Sequence, residues 1–177
     1  MTVRYLAVPL LLTLAASAAP ARAQPVLGED AAACNGGAGA AIRVNVTGLK
    51  DRSGRLKLEL YPANEDDFLK DDRDLKREGK FFHRIWAQTP ATGSVVLCIK
   101  APRAGRYALL FTHDRDGKNK FNFWKDGAGF PSNRKLGRSR PKLQEAAINV
   151  GGGVTRVTIQ AQYLRGLSGF APYDPND

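Results

Sequence analysis

The sequence has only two cysteines, two histidines and no long apolar run beyond its first residues. A zinc site normally needs three or four ligands, so His83 and His113 cannot supply one by themselves. No apolar segment after residue 23 approaches the roughly 20 residues that a membrane-spanning helix needs. Acidic residues are also scarce, 17 against 27 basic ones, which gives a formal net charge of +10. These shortages argue against a zinc protein and against a helical membrane protein.

The first 23 residues have the pattern of an export signal. Arg4 supplies a positive charge, residues 6–14 form a short apolar core, and residues 21–23 form a small-x-small cleavage site. We therefore predict a periplasmic or secreted chain that starts at Gln24 and has no transmembrane segment. Two basic residues leave with the signal, so this chain would carry +8 (25 basic minus 17 acidic). The alternatives are an uncleaved anchor or a lipoprotein attached through Cys34.

Two cysteines, Cys34 and Cys98, remain after signal removal. An even number of cysteines in an exported chain predicts a disulfide, whereas in the cytosol it would not. We predict a Cys34–Cys98 bridge, and the alternative is a pair of free buried thiols. Residues 24–40 show no periodicity and are predicted to be a flexible leader, which the bridge would tie to the strand that carries Cys98.

Alternation of apolar and polar residues predicts seven strands and few other regular elements. The strands cover residues 42–47, 56–60, 81–88, 94–100, 105–113, 146–150 and 157–163. A Gly-containing turn at residues 51–54 joins the first two strands and predicts a hairpin. One short helix is predicted within residues 64–80.

Mostly half-buried strands with short turns between them predict an all-β fold. We expect an antiparallel, seven-stranded β-sandwich over residues 41–164, with one long ordered loop; a small barrel is the alternative. We find no internal repeat and no second domain. Residues 165–177 are rich in Gly, Pro and Asp and are predicted to be a flexible tail.

The chain is organised around the end of the strand at residues 105–113, where the alternation stops and a polar and aromatic loop begins. Functional groups tend to lie where a rigid strand passes into a loop. The aromatic residues of this loop predict either a small satellite core that orders it or a ligand platform. They are Phe121, Phe123, Trp124 and Phe130.

A series of motifs runs through residues 105–133. It reads Gly105-Arg106-Tyr107-Ala108, His113-Asp114-x-Asp116, Lys120-Phe121-Asn122, Gly127-x-Gly129-Phe130 and Ser132-Asn133. The series resembles a bacterial family of small exported proteins catalogued as domain of unknown function 2141. The resemblance extends from about Ile42 to Tyr163 and implies an immunoglobulin-like or transthyretin-like sandwich. It implies no activity, because the family has no established one.

The family's loop also looks like a Ca²⁺ loop, in which Asp or Asn at alternate positions before a Gly surround one ion. The resemblance places Asp114, Asp116 and Asn122 at oxygen-donor positions. Lys118 stands where a third donor is expected, and Asn119 stands where Gly makes the turn. One hypothesis is therefore a weak calcium-binding module. The other is a loop of Asx turns whose carboxylates accept backbone N–H bonds. No other cofactor is predicted.

His113 and Asp114 could also act as an acid/base unit, with Ser132 as a nucleophile. The chain has no Gly-x-Ser-x-Gly elbow and no strong oxyanion motif. We therefore expect a non-enzymatic module, and a hydrolase that uses His113 and Asp114 is the alternative.

Basic residues are concentrated after the aromatic segment, five of them within residues 134–142. Basic clusters beside aromatics can bind nucleic acid, but export makes that partner a poor match. Anionic polymers of the cell envelope or lipid headgroups match better, and the alternative is charge that only serves solubility. We predict a working surface over residues 113–142. Its candidate ligand-binding residues are His113, Trp124, Arg134, Lys135, Arg138 and Arg140.

Overall fold

The computed structural model describes residues 24–173. The predicted export signal lies outside this range. Within it the strands are β1 (Ala41–Thr47), β2 (Arg55–Pro62), β3 (His83–Gln88), β4 (Val95–Lys100), β5 (Gly105–Asp114), β6 (Gly127–Gly129), β7 (Ala147–Val150), β8 (Val154–Gln160), β9 (Gln162–Leu164) and β10 (Phe170–Pro172). The other regular elements are helix α1 (Asp72–Arg77), helix α2 (Leu143–Ala146) and two 3₁₀ turns, at Ala31–Cys34 and Gly166–Ser168. The predicted helix is thus α1, and α2 was not predicted.

The strands form two sheets, which confirms the all-β sandwich. The smaller sheet has the order β4-β1-β8, and the larger has the order β10-β9-β6-β5-β2-β3 with β7 also paired to β5. Strands β1 and β8 are parallel, which the antiparallel prediction did not include. The core between the sheets takes Ile42 and Val44 from the smaller sheet and Leu58 and Phe111 from the larger.

The predicted hairpin between β1 and β2 is wrong. Strand β1 pairs with β4 and β8, whereas β2 pairs with β3 and β5 in the opposite sheet. Both strands direct alternate apolar residues into the same core, but they do so from opposite sides of it. Alternation identifies the buried face of a strand and leaves its neighbour undefined.

The larger sheet is covered on both faces, because α1 and the chain after β6 pack on its outer side. A second core there contains Phe68, Leu75 and Phe130. Lys57 and Glu59 alternate with the core residues of β2, lie on this outer face and are only 8 % and 3 % exposed. They form an ion pair, with Lys57 Nζ 3.1 Å from Glu59 Oε2. A second layer over a sheet therefore buries side chains that alternation assigns to solvent.

The segments predicted to be flexible have defined contacts over the described residues. The Cys34–Cys98 disulfide is present and confirms that prediction. Leu27 also bridges Leu97 of β4, so the leader of residues 24–40 is held against the smaller sheet. At the other end, β10 pairs with β9 and continues the larger sheet.

Strand β6 divides the predicted long loop into residues 115–126 and 130–146. It has the sequence Gly-Ala-Gly, which lacks the apolar alternation of the other strands. A Cβ atom on Gly127 would lie 2.5 Å from the Tyr163 ring, so only glycine allows this close approach.

Candidate functional site

His113 is completely buried near the end of β5 and has a hydrogen bond at each ring nitrogen. Nε2 lies 2.8 Å from the carbonyl oxygen of Ser53, and Nδ1 lies 2.7 Å from the hydroxyl of Tyr163. Because a carbonyl only accepts, Nε2 carries the proton and Nδ1 accepts from Tyr163. The Tyr163 hydroxyl in turn accepts from the backbone N–H of Lys50 at 3.1 Å. Burial lowers the pKa of His113, so the ring is neutral at pH 7.

This arrangement does not support a hydrolase that uses His113 and Asp114. Neighbouring residues of a strand point to opposite faces, and Asp114 accepts a hydrogen bond from Arg55 Nη2 at 3.0 Å. The Ser132 hydroxyl accepts from the backbone N–H of Arg134. Among the described residues, no hydrogen bond joins His113, Asp114 and Ser132. His113, predicted as a ligand-binding residue, has no exposed surface, and both of its ring nitrogens are already hydrogen-bonded within the protein.

The buried His113 should make the protein less stable at mildly acidic pH. Its pKa is lowered from 6.5 in the folded state, so below pH 6.5 the unfolded chain binds more protons than the folded one. The free energy of unfolding should therefore be largest above pH 6.5 and fall as the pH decreases towards the folded pKa, by at most about 1.4 kcal/mol per pH unit. Urea unfolding between about pH 5 and 7.5 measures this slope.

The matched variants for that experiment are His113→Gln and His83→Gln. His113→Gln should flatten the pH dependence whatever it costs in absolute stability, because the titrating group is gone. His83→Gln keeps His113 and should retain the slope. A slope that survives in His113→Gln would assign it to another group.

Three carboxylates meet where β5 ends and β6 begins. Asp114, Asp116 and Asp126 can each offer an oxygen such that the three atoms lie within 4.8 Å of one another. Asp126 was not among the predicted metal ligands. Its position follows from the register of the antiparallel pair β5–β6. Because His113 lies opposite Gly127, Asp126 lies beside Asp114.

Asn122, predicted as an oxygen donor, uses its amide within the loop. Its Nδ2 donates to Asp116 Oδ2 at 3.1 Å, and its Oδ1 accepts from the backbone N–H of Trp124 at 3.1 Å. Asn119, in the place of the expected Gly, has a left-handed φ of 62°. Asn tolerates that conformation better than other residues with a side chain. Asn119 therefore takes the conformation expected of Gly at its own position, and Gly117 has a left-handed φ of 66° two residues earlier.

The aromatic residues of the loop fall into two groups. Phe130 is buried in the outer core, which matches the satellite-core prediction. Phe121, Phe123 and Trp124 are 44 %, 45 % and 80 % exposed. The rings of Phe121 and Phe123 lie 5.9 Å and 5.0 Å from that of Phe170, between centroids. Three aromatic side chains of one loop segment are thus exposed beside β10.

Two of these exposed rings, Phe121 and Phe123, form one side of an apolar groove of about 210 Å³. Phe121, Phe123 and Phe170 line it together with residues 136–141, which include Arg138 and Arg140. Arg140 also donates from Nη2 to the carbonyl oxygen of Phe68 at 3.1 Å. The groove therefore joins an aromatic wall to two guanidinium groups.

Of the other predicted ligand-binding residues, Trp124 packs edge-on against Phe123, with ring centroids 5.9 Å apart. Lys135 instead lines a separate depression with residues 165–172. Arg134 contributes its carbonyl oxygen to Gln162 Nε2. The structure thus brings Trp124, Arg138 and Arg140 to one region and leaves Lys135 outside the groove.

The cations of residues 113–142 differ from those around α1. The segment has nine basic and three acidic residues, a net charge of +6 (9 − 3). In the described part of the chain, a group of its cations has no carboxylate within salt-bridge distance; it consists of Lys118, Lys120, Lys125, Arg134, Lys135, Arg138, Arg140 and Lys142. Around α1 the cations are paired, for example Lys76 with Asp72 and Arg77 with Asp74.

Fold and site together define a disulfide-containing, all-β sandwich with a basic, aromatic loop at the end of its central strand. The chain belongs to the bacterial family described as "Uncharacterized protein conserved in bacteria (DUF2141)", whose model matches residues 44–158. The match confirms the resemblance seen in the sequence. No curated protein and no solved structure matches the chain. Over residues 24–173, no helix has both the length and the apolar character needed to cross a membrane.

Proposed function

We propose that this protein is an exported, non-enzymatic binding module of the cell envelope and that its ligand is an anionic lipid surface. Its working surface is the segment of residues 113–142. The observation that carries the proposal is the exposure of Phe121, Phe123 and Trp124 beside cations that have no carboxylate within salt-bridge distance among residues 24–173. The disulfide supports export, because such bonds persist in oxidising compartments.

The two kinds of side chain have complementary roles at a lipid surface. Exposed cations near an anionic membrane each contribute about 1 kcal/mol, and this term weakens as salt screens it. Exposed aromatic rings contribute apolar area that enters the headgroup region and is insensitive to salt. At a membrane interface, binding strength increases with buried apolar area and with electrostatic attraction to anionic lipids. The groove between Phe121 and Arg138 offers both at one place.

Reversing charge at the groove should weaken lipid binding more than it weakens the fold. We expect Arg138→Glu/Arg140→Glu to lose at least about 2 kcal/mol of binding free energy at low salt, about 30-fold in affinity. Arg138→Glu alone should affect folding stability less, because Arg140 also donates a hydrogen bond to the Phe68 carbonyl oxygen. Co-sedimentation with anionic and neutral vesicles at about 0.01 M and 0.15 M salt measures the effect.

The control is Arg103→Glu/Arg106→Glu, which changes charge by the same amount at two exposed arginines. Arg106 lies at the start of β5 and Arg103 two residues before the strand, about 30 Å along β5 from its other end. This control should lose much less affinity. Trp124→Ala should lower the binding that remains at high salt. Equal binding to both kinds of vesicle, or equal losses in the two double variants, would contradict the proposal. Binding to a soluble anionic polymer but not to vesicles would assign the surface to envelope polymers instead.

A further inference from the structure

The three carboxylates at the junction of β5 and β6 differ in how far they are buried. Asp114 and Asp126 are buried, with 2 % and 1 % exposure, and Asp116 is half-buried. Arg55 is the one cation of the described chain within salt-bridge distance of any of the three. Three negative charges held this close repel one another, and one guanidinium offsets only part of that charge.

Hydrogen bonds satisfy every oxygen of the cluster except one. Asp126 accepts from the backbone N–H groups of Arg115 and Asn122 at 2.9 Å and 2.7 Å. Asp114 Oδ2 accepts from Arg55 and from the backbone N–H of Asn119 at 3.2 Å. Asp114 Oδ1 is buried and has no hydrogen-bond partner within the described part of the chain.

A buried carboxylate oxygen without a donor is uncommon, and a bound ion is one of the partners that account for such an oxygen. Asp114 Oδ1 lacks one within a group whose ligand atoms already lie at metal-binding separation. We infer that Asp114, Asp116 and Asp126 bind one Ca²⁺ ion. Carboxylates are the hard oxygen ligands that this ion prefers.

The affinity should be weak, because three side chains supply only part of the six to eight oxygens that Ca²⁺ takes. Water or backbone carbonyls would have to fill the other positions. Arg55 already neutralises part of the site, and Lys118 lies in the same loop. We expect a dissociation constant on the order of 0.1–1 mM, typical of extracellular modules.

The site would also fix the shape of the exposed loop. Asp116 and Asp126 enclose the segment that carries Phe121, Phe123 and Trp124, and Asp114 anchors it to β5. An ion shared by the three carboxylates would therefore join both ends of that segment to the sheet. The inference does not depend on lipid binding, since metal binding is measured without lipid.

Calorimetry of the disulfide-bonded protein with CaCl₂ tests the inference. For the wild type we expect saturable binding and a rise in unfolding temperature. For Asp116→Asn and for Asp126→Asn we expect the dissociation constant to be at least tenfold larger. Asp66→Asn removes an equal charge from an exposed carboxylate outside the cluster and should change nothing. Lys118→Asn should bind several-fold more tightly, because it removes a cation and adds an oxygen donor.

Luminescence of Tb³⁺, a substitute for Ca²⁺, gives a second readout that reports position. Excitation through Trp124, two residues from Asp126, should sensitise the bound ion, and Trp124→Phe should reduce the signal. No saturable binding up to about 10 mM Ca²⁺, tenfold above the weakest expected constant, would overturn the inference. Unchanged binding in both cluster variants would also overturn it. Equal affinity for Mg²⁺ would overturn the assignment to calcium.

Discussion

Replacement of both Cys34 and Cys98 by alanine should lower the free energy of unfolding by about 4 kcal/mol. The bridge joins residues 64 apart in sequence, and a cross-link over that distance removes much of the freedom of the unfolded chain. Residues 24–40 should detach from the smaller sheet first, because the bridge and the Leu27–Leu97 pairing hold them to it. For a domain of this size, such a loss is a large part of the total stability.

Urea unfolding of the double variant and of the wild type, each with and without reductant, measures this effect. Reductant should bring the wild type down to the level of the variant and leave the variant unchanged. Limited proteolysis should cut residues 24–40 of the variant before it cuts the strands. A loss below about 1 kcal/mol would contradict the prediction and would show that packing of the leader suffices without the bridge.

The strands that the sequence predicts correctly are those with a local signal. Alternating residues such as Leu56, Leu58 and Leu60 bury one side of β2, and this pattern needs no knowledge of its neighbours. The short strands β6 and β10 have no comparable signal, and β10 lies in the segment predicted to be a flexible tail. β6 has no apolar alternation at all, and its place in the sheet depends on the Tyr163 ring close to Gly127. Short strands of this kind are defined by tertiary contacts.

The residues of the candidate site also divide into those with a local sequence signal and those placed by tertiary contacts. Asp114 and Asp116 are recognisable because they lie two residues apart in one loop. Asp126 joins them only through the pairing of β6 with β5, and Phe170 joins the groove from the segment predicted to be a flexible tail. His113 looked like a functional residue at a strand end, but its partners Ser53 and Tyr163 come from distant parts of the chain. Long-range contacts decide which polar residues are structural.

Gly54→Ala should destabilise the protein by about 2–5 kcal/mol and disturb the carboxylate cluster. Gly54 has a φ of 66°, and an alanine in this left-handed region costs about 1–2 kcal/mol. Its Cβ would also lie 2.1 Å from the carbonyl oxygen of Asp114 and 2.7 Å from the Cα of Arg115. These are backbone atoms that cannot rotate away, so crowding adds about 1–3 kcal/mol. Because Asp114 would have to shift, calcium affinity should fall as well.

Two other glycines separate backbone strain from crowding. Gly93 has a φ of 82° and nothing within 4 Å of the position that a Cβ atom would take, so Gly93→Ala should show only the backbone cost of about 1–2 kcal/mol. Gly152 has open space where a Cβ atom would lie and no left-handed φ. Gly152→Ala should therefore leave the free energy of unfolding unchanged or raise it by up to about 1 kcal/mol. All three are compared by urea unfolding. If Gly54→Ala costs no more than Gly93→Ala, the β5 terminus can move away from the turn, and the close contact with Asp114 is not what holds the cluster in place.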